Sequence, residues 1–347
     1  MRFDEPRWWY CDTPSVAPHL LAPLAAVWGR TAQRRYVRAA HLRPDLPVIC
    51  IGNLTAGGTG KTPLALHVAA MLGRLGRRPA VLTRGYRGRI AGPHWVAAGR
   101  DSASDVGDEP LLLGRVAPTL VSRDRAAGAL AIVGSGAGID VIVMDDGLQN
   151  GGIAKDLTLA VVDGRRGFGN GHVIPAGPLR APLEFQLSLV DAVVVNTPEG
   201  SEPAGVGQFL RDRFPGPVLT ATTRPAGDTS WLKGEKVLAF SGIGAPERFF
   251  ALVERSGAQI VERIAFPDHH SFAEADARGL LTRATAQAAR LITTEKDWVR
   301  LRETGASGRL KQVSRTLPIR LDLGARDALR LEGLVAASLA RRSDRTA

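Results

Sequence analysis

The chain has 347 residues, which exceeds the usual size of a single hydrophobic core and predicts one large or two medium domains. Its hydrophobic fraction of 44% and charged fraction of 23% are ordinary for a folded protein and exclude a fibre, a repeat array or a largely disordered chain. The two cysteines, Cys11 and Cys50, are too few for a disulfide framework, so we expect a reducing compartment.

The net charge of +11 comes mainly from arginine, because only six of the 45 basic residues are lysine. Residues 71–100 contain seven arginines and no acidic residue, in and around a glycine-rich RGYRGR stretch. Guanidinium groups bind phosphate well, so this region is a candidate for contact with an anionic partner. A compositional bias towards arginine is the alternative explanation for the excess.

The first predicted element is a helix within residues 17–40, apolar in its first half and basic in its second. This pattern is typical of a helix in a membrane interface, and we predict that residues 1–43 form a membrane-associating segment. A helix packed on the protein's own core is the alternative. No apolar run reaches the roughly 20 residues needed to cross a bilayer. Acidic Asp4, Glu5 and Asp12 argue against a cleaved signal peptide.

From residue 47, short β-branched runs alternate with helical stretches, which predicts a doubly wound, mostly parallel sheet flanked by helices. The strand candidates are PVICIGN, PAVLT, PTLVS, DVIVM, LTLAVVD and DAVVVN. A segment rich in Pro, Gly, Glu and Ser at 198–206 precedes a second α/β series, with the runs PVLTAT, KVLAFSG, LITTEKD and LPIRLDL. We therefore predict an α/β core over 44–215 and a smaller second α/β domain over 216–347.

The residues between the first strand and the next helix are typical of a phosphate-binding loop. They are Thr55, Ala56, Gly57, Gly58, Thr59, Gly60, Lys61 and Thr62. In such a loop the backbone amides surround the phosphates, the lysine reaches the β and γ oxygens, and the following hydroxyl holds Mg²⁺. Thr55 stands where the strict pattern has glycine, but the strand, loop and helix together predict a P-loop NTPase-like nucleotide site.

A pair of carboxylates, Asp145 and Asp146, ends the apolar run DVIVM. An acidic residue at the end of such a strand commonly assists the Mg²⁺ bound at a phosphate loop. Two adjacent carboxylates beside a buried strand are costly unless a cation or hydrogen bonds compensate them. Either aspartate is a candidate metal ligand, because adjacent strand residues face opposite ways.

Two further segments carry possible acid–base groups, GDEP at 107–110 and DHH at 268–270. Each is weakly diagnostic alone, because GDEP also suits a helix start and DHH an exposed turn. Nine motifs in this order together make the chain resemble the tetraacyldisaccharide 4′-kinase (lipid A disaccharide kinase) family over most of its length. They are GNLTAGGTGKTP (52–63), RGYRG (84–88), GDEP, DDGLQ (145–149), RGFGNG (166–171), IPAGPLR (174–180), FSGIG (240–244), FPDHH (266–270) and TTEKD (293–297).

The resemblance implies a kinase that uses ATP and Mg²⁺ to phosphorylate the 4′-hydroxyl of tetraacyldisaccharide 1-phosphate, a lipid A precursor. It implies that Asp108 and His269 act together as the base, with Lys61 neutralising charge. It also implies acceptor contacts from the RGYRG and RGFGNG motifs, for which the candidates are Arg84, Tyr86, Arg87 and Asn170. We further expect a peripheral monomer at the cytoplasmic face of the inner membrane, without nucleic acid.

The chain departs from the usual family pattern at two positions, Ala181 after PAGPLR and Asn150 after DDGLQ. A role for a glutamate at position 181 therefore cannot be carried over, although Glu184 lies nearby in sequence. The resemblance implies that the second domain closes over the nucleotide, which makes residues around Gly242 or Glu295 candidate adenine contacts. A structural turn at Gly242 and Gly244 is the alternative. Another P-loop kinase or NTPase and a basic nucleic-acid-binding ATPase are the rival functions. A guanine-reading N-K-x-D motif is absent from the sequence.

Overall fold

A computed structural model describes residues 5–10, 16–199 and 205–346, without the side chains of Arg7 and of residues 343–346. Cys11 and parts of the predicted segments 1–43 and 198–206 lie outside the described residues. The described chain forms two sheets with helices packed on them. Short 3₁₀ turns occur at Arg7–Trp9 and Ser230–Leu232.

Nine described strands form the larger sheet. They are β1 (Val48–Asn53), β2 (Pro79–Thr83), β3 (His94–Trp95), β4 (Thr119–Val121), β5 (Val141–Asp145), β6 (Leu157–Asp163), β7 (Ala192–Pro198), β8 (Val218–Pro225) and β13 (Ile319–Leu323). Their order is β13-β8-β7-β6-β1-β5-β2-β4-β3. The pairs are parallel except at the two edges, where β13 and β3 run antiparallel to their neighbours. The predicted parallel α/β architecture is confirmed.

The smaller sheet consists of β9 (Lys236–Ser241), β10 (Gln259–Ala265), β11 (Arg290–Thr293) and β12 (Arg315–Thr316), in the order β10-β9-β11-β12. The helices are α1 (Ala17–Val37), α2 (Lys61–Arg74), α3 (Ala103–Val106), α4 (Asp108–Leu113), α5 (Arg125–Val133), α6 (Leu183–Leu187), α7 (Val206–Arg213), α8 (Pro246–Arg255), α9 (Glu274–Ala286), α10 (Glu295–Arg300), α11 (Gly305–Val313) and α12 (Ala325–Thr346).

Helices cover both faces of the larger sheet, which explains why its central strands are apolar at almost every position. On one face, Leu64 of α2 and Leu331 of α12 join the cluster around Ile49 and Ile51 of β1. On the other face, α5 and α7 pack over the opposite side chains of the same strands. Each fully buried Ile or Leu contributes about 1.5–3 kcal/mol, so this core supports the carboxyl edge of β1 and β5.

The expected domain boundary at residues 215 and 216 cuts through the larger sheet. Strand β8 follows that boundary and pairs with β7, while β13 returns from near the chain's end to pair with β8. Helix α12 then packs on the same core as α2. The smaller sheet therefore occupies only the middle of the predicted 216–347 domain. Composition could not reveal that β8 and β13 belong to the larger sheet, because the strands of both sheets have the same apolar character.

Helix α1 packs through a narrow face of small residues and leaves its larger apolar side chains exposed. Ala25 and Gly29 are buried, and a Cβ placed on Gly29 would stand 3.3 Å from the Pro182 ring. The exposed apolar residues include Leu20 (74% exposed), Leu24 (59%), Val27 (60%) and Trp28 (52%). Of the described helices, none is long and apolar enough to cross a membrane.

Candidate active site

The phosphate loop follows β1 and leads directly into α2. Gly57 and Gly60 have φ values of +91° and +101°, a backbone region that favours glycine. The buried amide of Asn53 donates to the carbonyl of Thr55 at 2.6 Å and to that of Gly57 at 3.3 Å. These hydrogen bonds fix the backbone of the loop in a conformation suited to binding phosphate.

Asn196 of β7 supports the other end of the loop. Its Nδ2 donates to the carbonyl of Thr59 at 3.2 Å, and its Oδ1 accepts from the hydroxyl of Thr223 at 2.9 Å. A Cβ on Gly60 would lie 2.4 Å from this Nδ2, so glycine is needed there for space as well as for φ. Sequence reasoning missed both Asn53 and Asn196. The only signal was their position at the ends of apolar strands.

Asp145 and Asp146 lie beside the loop because β5 and β1 are neighbours and end at the same edge. Lys61 Nζ lies 3.5 Å from Asp146 Oδ1, and Arg180 Nη1 lies 2.9 Å from the same oxygen. Burial by itself would raise the pKa of Asp146, but the charges of Arg180 and Lys61 outweigh it and hold that pKa well below its usual range. Asp146 therefore stays ionised.

Asp145 is fully buried and has a different environment. Burial, with the nearby charges of Glu109 and Asp146, raises its pKa to about 7. The Thr83 hydroxyl donates to Oδ2 at 3.2 Å, whereas Oδ1 has no hydrogen-bond partner among the described residues. A buried carboxylate oxygen without a partner, next to two further carboxylates, fits a cation at this edge.

The hydroxyl of Thr62 donates to Oε1 of Glu109 at 3.2 Å, and Lys296 Nζ donates to the same oxygen at 2.6 Å. Among the described residues, no group of three or more His, Cys, Asp or Glu side chains forms a ready-made metal cage. Mg²⁺ is commonly held by one or two carboxylates together with substrate phosphates, so the donor set remains suitable. Sequence reasoning found GDEP but passed over Glu109 within it, and it missed Lys296.

Asp108 and His269 meet between a helix beside the larger sheet and a loop of the smaller one. Asp108 begins α4, and His269 lies in the loop after β10, with Nδ1 3.2 Å from Asp108 Oδ2. Burial alone would raise the pKa of Asp108, but its hydrogen bond with His269 and the charge of Arg300 outweigh burial and hold that pKa well below its usual range. Asp108 is therefore an anion positioned to orient the imidazole.

The expected acceptor-binding residues have different surroundings. The Tyr86 ring stands 5.5 Å from the His269 ring and is half exposed. Arg87 Nη1 donates to the carbonyl of Asp268 at 3.4 Å, and Arg84 is exposed. The Asn170 side chain is occupied in its own loop, where its Nδ2 donates to the carbonyl of Ala176 at 2.9 Å.

Residues around the expected adenine contacts have other partners. The Gly242 carbonyl accepts from Arg300 Nη1 at 2.7 Å, and Glu295 pairs with Arg115 at 3.1 Å. At the two positions that depart from the family pattern, Ala181 is buried and Asn150 Oδ1 accepts a hydrogen bond from the amide of Gly152 at 2.9 Å.

Glu5 contacts the phosphate loop, which sequence reasoning did not foresee. A Cβ on Gly57 would lie 1.9 Å from Glu5 Oε1, so this carboxylate lies directly against the loop. Arg166 Nη1 pairs with Glu5 Oε2 at 2.9 Å. Burial raises the pKa of Glu5, although the charge of Arg166 opposes that shift.

Known proteins resemble the chain over nearly all of its length. The family model described as Tetraacyldisaccharide-1-P 4′-kinase matches residues 17–338. A tetraacyldisaccharide 4′-kinase of Parvibaculum lavamentivorans is 46% identical over 345 residues, covering 97% of this chain and 99% of that protein. One from Methylobacterium sp. (strain 4-46) is 46% identical over 336 residues, covering 96% and 97%.

The structure of LpxK from Aquifex aeolicus in complex with ATP has a TM-score of 0.73 with this chain. It is 23% identical and covers 93% of this chain and 99% of its own, which establishes a shared fold. The matched family model, the extent of the sequence identity and the shared fold agree with the motifs. The chain belongs to the tetraacyldisaccharide-1-P 4′-kinase family, a family of kinases, and the membership expected from its motifs is confirmed.

Proposed function

We propose that the chain transfers the γ-phosphate of ATP to the 4′-hydroxyl of tetraacyldisaccharide 1-phosphate, giving the bisphosphorylated lipid A precursor. The observation that carries the proposal is that a phosphate loop and an Asp–His pair lie at the same edge of the structure. Glu109 connects them, since it follows Asp108 in the chain and accepts a hydrogen bond from Thr62 of the loop at 3.2 Å. A phosphate donor and a hydroxyl acceptor can therefore be held next to each other.

The loop residues 55–62 bind the phosphates of ATP through their backbone amides, and Lys61 places its ammonium on the transferred group. Thr62 with Asp145 or Asp146 would hold Mg²⁺, which supplies neutralising charge for the phosphate oxygens when bound. Lys61 already lies 3.5 Å from Asp146. The site is therefore pre-organised, and catalysis comes mainly from position and electrostatic stabilisation.

His269 accepts the proton of the attacking hydroxyl. With its Nδ1–H directed at the ionised Asp108, its Nε2 carries the free lone pair, and that atom is 3.8 Å from the nearest Asp268 oxygen. The hydroxyl oxygen forms a bond to the γ-phosphorus as the bond from phosphorus to the β-phosphate oxygen breaks. The proton moves to Nε2, and ADP leaves with the electron pair of the broken bond.

The acceptor sugar is proposed to bind beside Tyr86, whose half-exposed ring already contacts His269. Arg84 and Arg87 would supply guanidinium groups for the 1-phosphate of the acceptor. Asn170 is proposed to act less directly, by shaping the 166–171 loop, because its amide is occupied by the Ala176 carbonyl.

Membrane attachment is proposed to be peripheral, at the cytoplasmic face of the inner membrane, through the exposed apolar face of α1. Leu20, Leu24, Val27 and Trp28 of that helix are each at least half exposed, and arginines follow them. Such a helix buries its apolar face at the level of the lipid headgroups while its basic end contacts anionic lipid. A monomer that does not bind nucleic acid remains our prediction.

The direct test is transfer of radiolabelled phosphate from ATP to purified tetraacyldisaccharide 1-phosphate in detergent micelles. We expect a labelled bisphosphorylated lipid with the wild type and none with Lys61→Ala. ATP hydrolysis without labelled lipid would leave the nucleotide site in place and refute the proposed acceptor. Steeply salt-dependent binding to duplex or single-stranded DNA would favour the rival nucleic-acid function.

A further inference from the structure

Arg300, in the last turn of α10, places its guanidinium at the junction of the two sheets, and its side chain is only 6% exposed. Nε donates to Asp108 Oδ2 at 2.9 Å, and Nη2 contacts the same oxygen. Nη1 donates to the Gly242 carbonyl at 2.7 Å and to Asp297 Oδ1 at 2.9 Å. Nη2 also lies 3.3 Å from His269 Nδ1.

The anchor of this guanidinium is itself immobilised. Asp297 is fully buried and accepts hydrogen bonds from the hydroxyls of Ser241 at 3.0 Å and Thr294 at 2.6 Å. The amide of Gly242 adds a third bond at 3.0 Å. A planar guanidinium bonded to such a fixed carboxylate has little freedom, so its remaining N–H groups point in set directions.

The fixed directions of the Arg300 N–H groups matter because Asp108 and His269 belong to segments beside different sheets. Asp108 belongs to α4 beside the larger sheet, whereas His269 and Arg300 follow strands of the smaller one. Among the described residues, the polar groups near the imidazole Nδ1 are the Asp108 carboxylate at 3.2 Å and Arg300 Nη2 at 3.3 Å. Arg300 Nη2 donates its hydrogen bond to the Asp108 carboxylate, which keeps that carboxylate ionised. The proton shared by His269 and Asp108 therefore belongs on Nδ1 of the imidazole.

We propose that Arg300 is a positioning residue for phosphoryl transfer: it fixes the Asp108 carboxylate against His269 across the two sheets, so that Nε2 accepts the hydroxyl proton. This inference rests on the proposed function. Arg300 follows the TTEKD motif by three residues, and the sequence offered no reason to join it to GDEP. It acts through Asp108 and His269 and does not itself touch the reacting atoms.

The test measures kcat and the KM for ATP in Arg300→Gln and Arg300→Lys, with thermal melting to establish folding. We expect kcat of Arg300→Gln to fall by about 100-fold, because a displacement of about 1 Å at the base has that effect. The KM for ATP should stay within about twofold, since Arg300 does not contact the phosphate loop. Arg300→Lys keeps the charge without the fork and should recover part of the lost kcat.

Arg115→Gln is the matched control, because Arg115 also crosses between the sheets but pairs with Glu295 at 3.1 Å, away from Asp108 and His269. Its kcat should be unchanged. If Arg115→Gln and Arg300→Gln lose kcat equally, Arg300 merely holds the sheets together and the inference is wrong. The inference also fails if Arg300→Gln raises the KM for ATP and leaves kcat intact.

A double-mutant cycle separates this inference from the proposed function. In a His269→Ala background, Arg300→Gln should cost no further kcat, because its effect passes through the imidazole. A full additional loss in that background would overturn the positioning role. If His269→Ala alone keeps normal kcat, the proposed base is wrong. If His269→Ala is inactive while Arg300→Gln and Arg300→Lys are normal, only the Arg300 inference fails.

Discussion

Lys296 donates a hydrogen bond of 2.6 Å to Glu109, joining α10 beside the smaller sheet to α4 beside the larger one. The same Glu109 oxygen accepts from Thr62 at the start of α2. Burial would raise the pKa of Glu109, but the charges of Lys296 and Lys61 reverse that effect and lower it. One carboxylate thus connects the phosphate loop to the helix that carries Arg300.

Replacing Glu109 by Gln tests that connection. The substitution keeps the shape but removes the charge that Lys296 and Thr62 share, and hydrogen bonds to charged groups contribute about 1.5–3 kcal/mol. We expect kcat/KM for ATP to fall by about 10- to 100-fold in steady-state assays. Arg115→Gln, which breaks a more exposed pair between the sheets, should change it little. Equal effects of the two substitutions would contradict the special role of Glu109.

The raised pKa of Asp145 predicts a distinctive pH dependence of stability. Its pKa rises from an ordinary value of 3.8 to about 7 on folding, so between these values the folded state binds more protons than the unfolded state. This carboxyl therefore makes the free energy of unfolding decrease as pH rises from about 4 to 7. The depressed pKa values of Asp108 and Asp146 act in the opposite direction, at lower pH.

Thermal melts of wild type and Asp145→Asn in buffer with a metal chelator measure this effect. The stability of Asp145→Asn relative to wild type should increase as pH rises from 4 to 7, because only the wild type must take up a proton at this buried carboxyl on folding. Added Mg²⁺ should stabilise the wild type most at the upper end of that range. A pH-independent difference between the two proteins would show that Asp145 is ionised throughout.

Glu5 is expected to weaken ATP binding, because its carboxylate lies against Gly57 of the loop that we propose binds the phosphates. Glu5→Gln should lower the KM for ATP by about threefold, since a partly exposed charge interaction is worth about 0.2–1 kcal/mol. The effect should shrink at high salt. Glu332→Gln on the exposed surface of α12 is the control and should leave KM unchanged. An increase in KM for Glu5→Gln would mean that the carboxylate supports the loop.

The membrane proposal predicts that charges on the exposed face of α1 release the protein from lipid. Leu20→Glu and Leu24→Glu should each reduce co-sedimentation with vesicles containing anionic phospholipid by about tenfold or more, because a buried leucine contributes about 1.5–3 kcal/mol. Leu329→Glu, at a leucine of α12 that is 71% exposed, should have no effect. Removal of residues 1–40 should also release the protein. Full binding by Leu20→Glu, Leu24→Glu and the truncated chain would refute the proposal.

The sequence alone determined the features that depend on neighbouring residues in the chain. The order of apolar strand, glycine loop and helix predicted the phosphate loop at 55–62, because each part is a local preference of the backbone. The apolar run before Asp145 and Asp146 predicted their place at a sheet edge, since parallel strands end together. Motifs in a fixed order also predicted the family, which the match to the family model confirms.

Only the tertiary structure decided which distant groups meet. The sequence predicted a division at residues 215 and 216, whereas β8 and β13 complete the larger sheet. Nothing in the sequence indicated the partners of Glu109, Lys296 and Arg300, although these residues form the hydrogen-bond network around Asp108. Local patterns encode burial and turn preference, but ion pairs between sheets depend on how two separate apolar cores pack. Their geometry is therefore not contained in any short segment of the chain.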